Sequence, residues 1–183
     1  MADHFCKRCR RLQSFRRFLS RYHSLYERGR GEAGYRRKFF QPVAFTVNWY
    51  ALDSTETLGT KASSVKTQKP VKTEKTAKLD YAWWGGLKTA DSTYQQFLTV
   101  AESSAVFTKG LYELSVTWDD AVRVYVDGKR VIDQWKQGRQ RFDEAPNKKH
   151  RVSLGGKHTI RVEHAELGGF ATLSLKIVKA GTR

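Results

Sequence analysis

Residues 110–135 read GLYELSVTWDDAVRVYVDGKRVIDQW, and the pattern in this stretch decides the fold. Leu114, Val116 and Trp118 alternate with Ser115 and Thr117, and Val122, Val124 and Val126 alternate with Arg123 and Tyr125. A period of two marks strands with one covered face. Asp127-Gly128 between two apolar runs is a strong hairpin signal, because both central residues of a type I′ turn need positive φ.

Working outward, the same character recurs in VAFTVNWYA (43–51), LDYAWW (79–84), QFLTVAE (96–102), RVSL (151–154), KHTIRVEHAE (157–166) and FATLSLKIV (170–178). Gly155-Gly156 stands between two of these runs and reads as a second tight turn. Many short strands with regular turn punctuation predict a mainly β protein, an antiparallel β-sandwich. On a strand, adjacent Trp83 and Trp84 must point to opposite faces, so one indole is expected to be exposed.

Two segments break the pattern. Residues 53–78 lose nearly all large apolar side chains and read as a Lys/Thr-rich loop. Lys66, Lys69, Lys72, Lys75 and Lys78 fall at every third residue there, and a polyproline-type chain would set them on one side as a basic comb. The other segment is the start of the chain. Residues 1–41 hold twelve Lys or Arg against Asp3, Glu27 and Glu32, a net of +9 within a total of +16, which leaves +7 for the rest. From Arg10 to Arg28 apolar residues recur every three or four positions, which predicts a short amphipathic helix with a basic face. Arg10, Arg11, Phe15, Arg16, Arg17, Phe18, Arg21 and Tyr22 are its candidate docking residues. Such a helix suits an anionic membrane surface or other protein subunits. The organisation expected is thus a basic extension over 1–41 and a sandwich over 42–180.

Cys6 and Cys9 are the two cysteines, in CKRC. Zinc takes four ligands and only His4 and His23 lie near, in no standard spacing, so the pair reads as incidental thiols. An apolar run of the roughly 18 residues that a membrane-spanning helix needs is missing from the sequence. The first thirty residues also lack the apolar core of a secretory signal, which predicts no export.

The order of motifs in GLYELSVTWDDAVRVYVDGKRVIDQW and HRVSLGGKHTIRVEHAELGGFATLSLKI resembles the PA-fourteen family of β-sandwich domains, named after anthrax protective antigen. The shared features are Gly-x-Tyr, an Asp-Asp pair, an aromatic strand ending in Asp-Gly, Ile-Asp-x-Trp, and a later Gly-Lys-His before an Ile-Arg-Val-Glu strand. The resemblance runs from Val43 to Val178. It implies an extracytoplasmic or cell-surface module appended to glycosidases, adhesins or toxins. In the family's sugar-binding adhesins two consecutive aspartates joined by a cis peptide chelate calcium, and calcium holds sugar hydroxyls. Asp119 and Asp120 occupy those positions. Many members read Ser-Asp-Asp-Gly, whereas Trp118 and Ala121 flank the pair here, and the loop AELGGF offers Glu166 where the adhesins often use Asn. Asp119 and Asp120 are therefore either calcium ligands or carboxylates that satisfy turn N–H groups.

The candidate ligand-binding residues are Asp119, Asp120, Trp84, Trp135 and Glu166, with Asp119 and Asp120 as the metal ligands. No serine stands in a nucleophile elbow, no phosphate loop occurs, and two adjacent aspartates do not face each other across a substrate, so the chain is not expected to be an enzyme. His158, in the Gly-Lys-His step, reads as structural. The basic extension favours a docking module attached to a larger complex or an anionic membrane. The alternative is a calcium-assisted module binding a polysaccharide. No reading motif for nucleic acid is present.

Overall fold

A computed structural model describes residues 39–52, 69–135 and 146–180. The basic helix expected over Arg10–Arg28, with all its docking residues, lies outside the described residues. Those described are built from β1 (Phe39–Phe40), β2 (Phe45–Ala51), β3 (Lys72–Thr76), β4 (Asp80–Trp84), β5 (Leu87–Lys88), β6 (Thr93–Tyr94), β7 (Phe97–Asp119), β8 (Ala121–Val126), β9 (Lys129–Gln134), β10 (Asn147–Glu166) and β11 (Phe170–Lys179). No described residue is helical.

Two long strands organise the sheet. β7 and β10 pair antiparallel from Asn147↔Thr117 to Glu166↔Phe97, with a register shift between Leu154 and Gly156. The first half of β7 carries β2, which in turn carries β3, and the second half of β10 carries β8 and then β9. The second half of β7 carries β11, whose other edge takes β4 and β1. The two halves thus share their central strands and face each other. Tyr81 of β4 meets Trp49 of β2 edge-on at 5.5 Å, and Trp83 meets Phe97 of β7 at 5.2 Å. Val47, Leu114, Val116, Val122, Val124, Val162 and Leu173, drawn from both halves, are buried in one apolar cluster. Burial of this kind contributes roughly 1.5–3 kcal/mol per large aliphatic side chain, which is why the period of two is so regular.

The structure corrects two expectations. Gly155-Gly156 is not a turn. It lies within β10 at the register shift, where Gly156 has φ +86° and a Cβ on Gly155 would stand 3.2 Å from Lys109 Cα. The runs read as separate strands on either side, RVSL and KHTIRVEHAE, are one bent strand, as are QFLTVAE and GLYELSVTW. Nor is the Lys/Thr-rich segment all loop. Lys72–Thr76 is β3 and pairs with β2 from Phe45↔Thr76 to Trp49↔Lys72. Strand alternation leaves Lys72 half-buried, its ammonium 5.1 Å from the centre of the Trp49 ring, and turns Lys75 out, so no comb of lysines forms there.

The Asp127-Gly128 hairpin has φ +50° and +76°, as its turn type requires. The Asp127 carboxylate accepts hydrogen bonds from the Thr159 N–H (2.8 Å) and from His158 Nδ1 (2.6 Å), while His158 Nε2 accepts from the Gly155 N–H (3.0 Å). His158 therefore ties the hairpin to the bend of β10. The His158 hydrogen bond, then that of Thr159, holds the Asp127 carboxyl below its ordinary pKa. Asp127→Ala removes these acceptors and places a Cβ-bearing, non-hydrogen-bonding residue at positive φ. We expect a loss of about 2 kcal/mol in urea denaturation at neutral pH. A loss near zero would show that the tie does not hold the bend.

Candidate cation and ligand site

β7 ends at Asp119 and β8 begins at Ala121, and the peptide bond between Asp119 and Asp120 at this step is cis. At this corner the chain passes from the half containing β11, where Thr172 pairs with Asp119, to the half containing β8, where Ala165 pairs with Ala121. Both ends of the step are held by β10. The Asp120 N–H donates to the Ala165 carbonyl (3.1 Å), and the Asp119 carbonyl accepts from His164 Nε2 (2.6 Å). With its Nε2 protonated, His164 uses Nδ1 to accept from the Thr99 hydroxyl at 3.3 Å. The imidazole is buried between Trp83 and Phe97, and burial lowers its pKa to about 4, so it is neutral.

Asp119 and Asp120 stand at this corner, near enough to Glu166 for their charges to act on it. Asp120 Oδ2 accepts the Leu167 N–H (2.8 Å), and Glu166 Oε1 accepts the Gly168 N–H (2.9 Å). Glu166 is only 1% exposed, and its Oε2 is buried without a hydrogen-bond partner. Burial, reinforced by the charge of Asp120, pushes the Asp119 carboxyl up to about 6. Burial also raises Asp120, against the Leu167 N–H. For Glu166, burial and then the charges of Asp120 and Asp119 push the carboxyl to about 8. Burial raises all three acids, and the charges of both aspartates add to the rise at Glu166, so a cation is favourable here. Among the described residues no three His, Cys, Asp or Glu side chains converge as a ready ligand set, so a metal held by Asp119 and Asp120 must complete its shell with backbone carbonyls and water. Carboxylate oxygens, one of them buried and still bare, suit a hard divalent cation such as calcium.

Aromatic residues flank the acids. β4 alternates, so that Trp83 packs inward and Trp84 is 79% exposed, with Phe170 at 4.6 Å as its ladder partner. Trp135 is different. It packs against the small cluster of Leu98, Val100, Ala121 and Ala165, and Arg123 sits 4.7 Å from its ring centre, so that this indole is a wall rather than an open face. The corner thus brings together Asp119, Asp120 and Glu166, with Trp84 reached through the loop 166–170. His164, Thr99 and Phe170 were not singled out from the sequence. The alternation in IRVEHAE puts His164 in phase with Val162, which was the available signal for an inward histidine.

Residues 46–181 match the family model of the PA14 domain, and the chain belongs to that family. No curated protein matches it. Among solved structures, the PA14 sugar-binding domain from an RTX adhesin superposes with a TM-score of 0.62 at 17% identity, over 78% of this chain and 93% of that one. The A domain of epithelial adhesin 9 from Candida glabrata, in complex with Galβ1-3GlcNAc, gives 0.51 at 10% identity, over 77% and 84%. A β-glucosidase from Kluyveromyces marxianus in complex with glucose gives 0.54 at 16% identity over 75% of this chain, which spans 16% of that enzyme's length. At these identities the likeness is one of fold.

Proposed function

We propose that this domain is a calcium-dependent carbohydrate-binding module. Asp119 and Asp120 are its metal ligands, the buried Glu166 carboxyl lies beside them, and the bound calcium offers coordination positions to sugar hydroxyls in exchange for water. The observation that carries this reading is the buried, unpartnered Glu166 Oε2 beside two further carboxyls of raised pKa. The sugar-binding title of the adhesin domain on the same fold supports it. The reading is tested on a glycan array run with calcium and with chelator. Binding is expected in calcium alone, and Asp119→Asn/Asp120→Asn should abolish it while leaving the β-sheet circular dichroism intact. An array silent at roughly millimolar calcium, the weak end for extracellular calcium sites, would contradict the proposal.

The +9 charge of residues 1–41 supports a second, compatible role, attachment of the module to an anionic membrane or to acidic protein subunits through Arg10, Arg11, Arg16, Arg17 and Arg21. Each basic group near an anionic lipid surface contributes on the order of 1 kcal/mol, and the attachment should weaken with salt.

A further inference from the structure

We infer that Trp84 and Phe170 form a second subsite, continuous with the carboxylate corner, and that the ligand is therefore an oligosaccharide of at least two pyranose rings, the second stacked on the Trp84 indole. This inference rests on the calcium-dependent reading above and adds to it the length of the ligand.

Single exposed apolar side chains are ordinary on protein surfaces. Trp84 departs from that background in three ways. It is the most exposed large apolar residue among those described. It is also braced, since Phe170 lies directly opposite it in the β4–β11 ladder, with ring centres 4.6 Å apart and planes at 49°. An indole already held on a sheet edge loses little freedom on binding, which is the condition under which a stacking contact yields affinity.

Its surroundings are also kept clear. Gly85 and Gly86 follow Trp84, and Gly168 and Gly169 precede Phe170, all four at positive φ. A Cβ on Gly85, Gly168 or Gly169 would meet nothing within 4 Å, so the space beside the aromatic pair is open. Gly86 alone is close-packed, against the Tyr94 carbonyl.

The loop from Glu166 to Phe170 connects the two places physically. The Leu167 N–H is held by Asp120 and the Gly168 N–H by Glu166, while Gln96 Nε2 donates to the Leu167 carbonyl at 2.9 Å. On the other side of the aromatic pair Gln95 Nε2 donates to the Gly85 carbonyl at 3.1 Å. Four residue steps separate Glu166 from Phe170, so their Cα atoms are at most roughly 14 Å apart, a span that a short oligosaccharide bridges.

The test uses the full chain in calcium on an array of monosaccharides and their di- to tetrasaccharides, with calcium affinity measured in parallel by titration calorimetry. Wild-type protein should prefer di- to tetrasaccharides to monosaccharides. Trp84→Ala should weaken that binding about tenfold or more, consistent with loss of one stacked ring, and leave calcium affinity unchanged; Phe170→Ala should weaken it less. Equal binding by wild type and Trp84→Ala, or equal affinity for monosaccharides and their oligomers, overturns the subsite while leaving the calcium reading standing. Sugar binding that survives Asp119→Asn/Asp120→Asn but falls in Trp84→Ala overturns the calcium reading and the two-part site with it. An array silent for wild type overturns both.

Discussion

Glu166→Gln is expected to stabilise the chelator-treated domain by about 3 kcal/mol at pH 8 and to flatten most of its pH dependence above pH 6. The sign follows from proton linkage. The Glu166 carboxyl titrates near 8 in the folded domain, against an ordinary value of 4.5. Between those values the folded state binds a proton that the unfolded state has released, so stability falls as pH rises and levels off above 8. Below about 4.5 both states are protonated and the penalty is absent. Asp119, raised to about 6, acts with the same sign at lower pH. His164 acts with the opposite sign, because its folded pKa near 4 lies below the ordinary 6.5, so the unfolded state takes up the proton first as pH falls. These two offset one another in the acidic range, which leaves the slope toward pH 8 to Glu166. A neutral amide keeps an acceptor for the Gly168 N–H without the charge. Thermal or urea melts from pH 5 to 9 in chelator check this, and a Glu166→Gln variant no more stable than wild type at pH 8 would show that the carboxylate is already compensated.

The second large effect is expected at His164. His164→Leu leaves the Asp119 carbonyl and the Thr99 hydroxyl without their partner inside the core, and we expect a loss of about 3 kcal/mol. His164→Gln, whose amide nitrogen can stand near the position of Nε2, should recover about half of it. Urea denaturation of both variants at pH 7.5, where the wild-type imidazole is neutral, measures the difference. Equal losses in the two variants would mean that ring packing on Trp83, rather than the hydrogen bond, holds the corner.

Local patterns were legible wherever chemistry is set by near neighbours. The alternation of Val122, Val124 and Val126, the Asp127-Gly128 turn and the opposite faces of Trp83 and Trp84 all depend on a few adjacent residues. Features that depend on distant pairing were not. Gly155-Gly156 has the composition of a turn, but the continuous ladder between β7 and β10 makes it a bend in one strand. Lys72–Thr76 has the composition of a loop, but the edge of β2 supplies a partner and β3 forms. The same holds at the site. Asp119, Asp120 and Glu166 were candidates from the resemblance, whereas His164 gains its role from Thr99, 65 residues earlier in the chain, and from the carbonyl of Asp119. Phe170 becomes a brace only once register sets it opposite Trp84.

The claim that the carboxylate corner is a calcium site is tested most directly by calcium titration calorimetry of the full chain, wild type beside Asp119→Asn/Asp120→Asn. Saturable binding of one ion by the wild type and a flat trace for the double variant are expected. A flat trace for the wild type, or binding that the double variant retains, would contradict it.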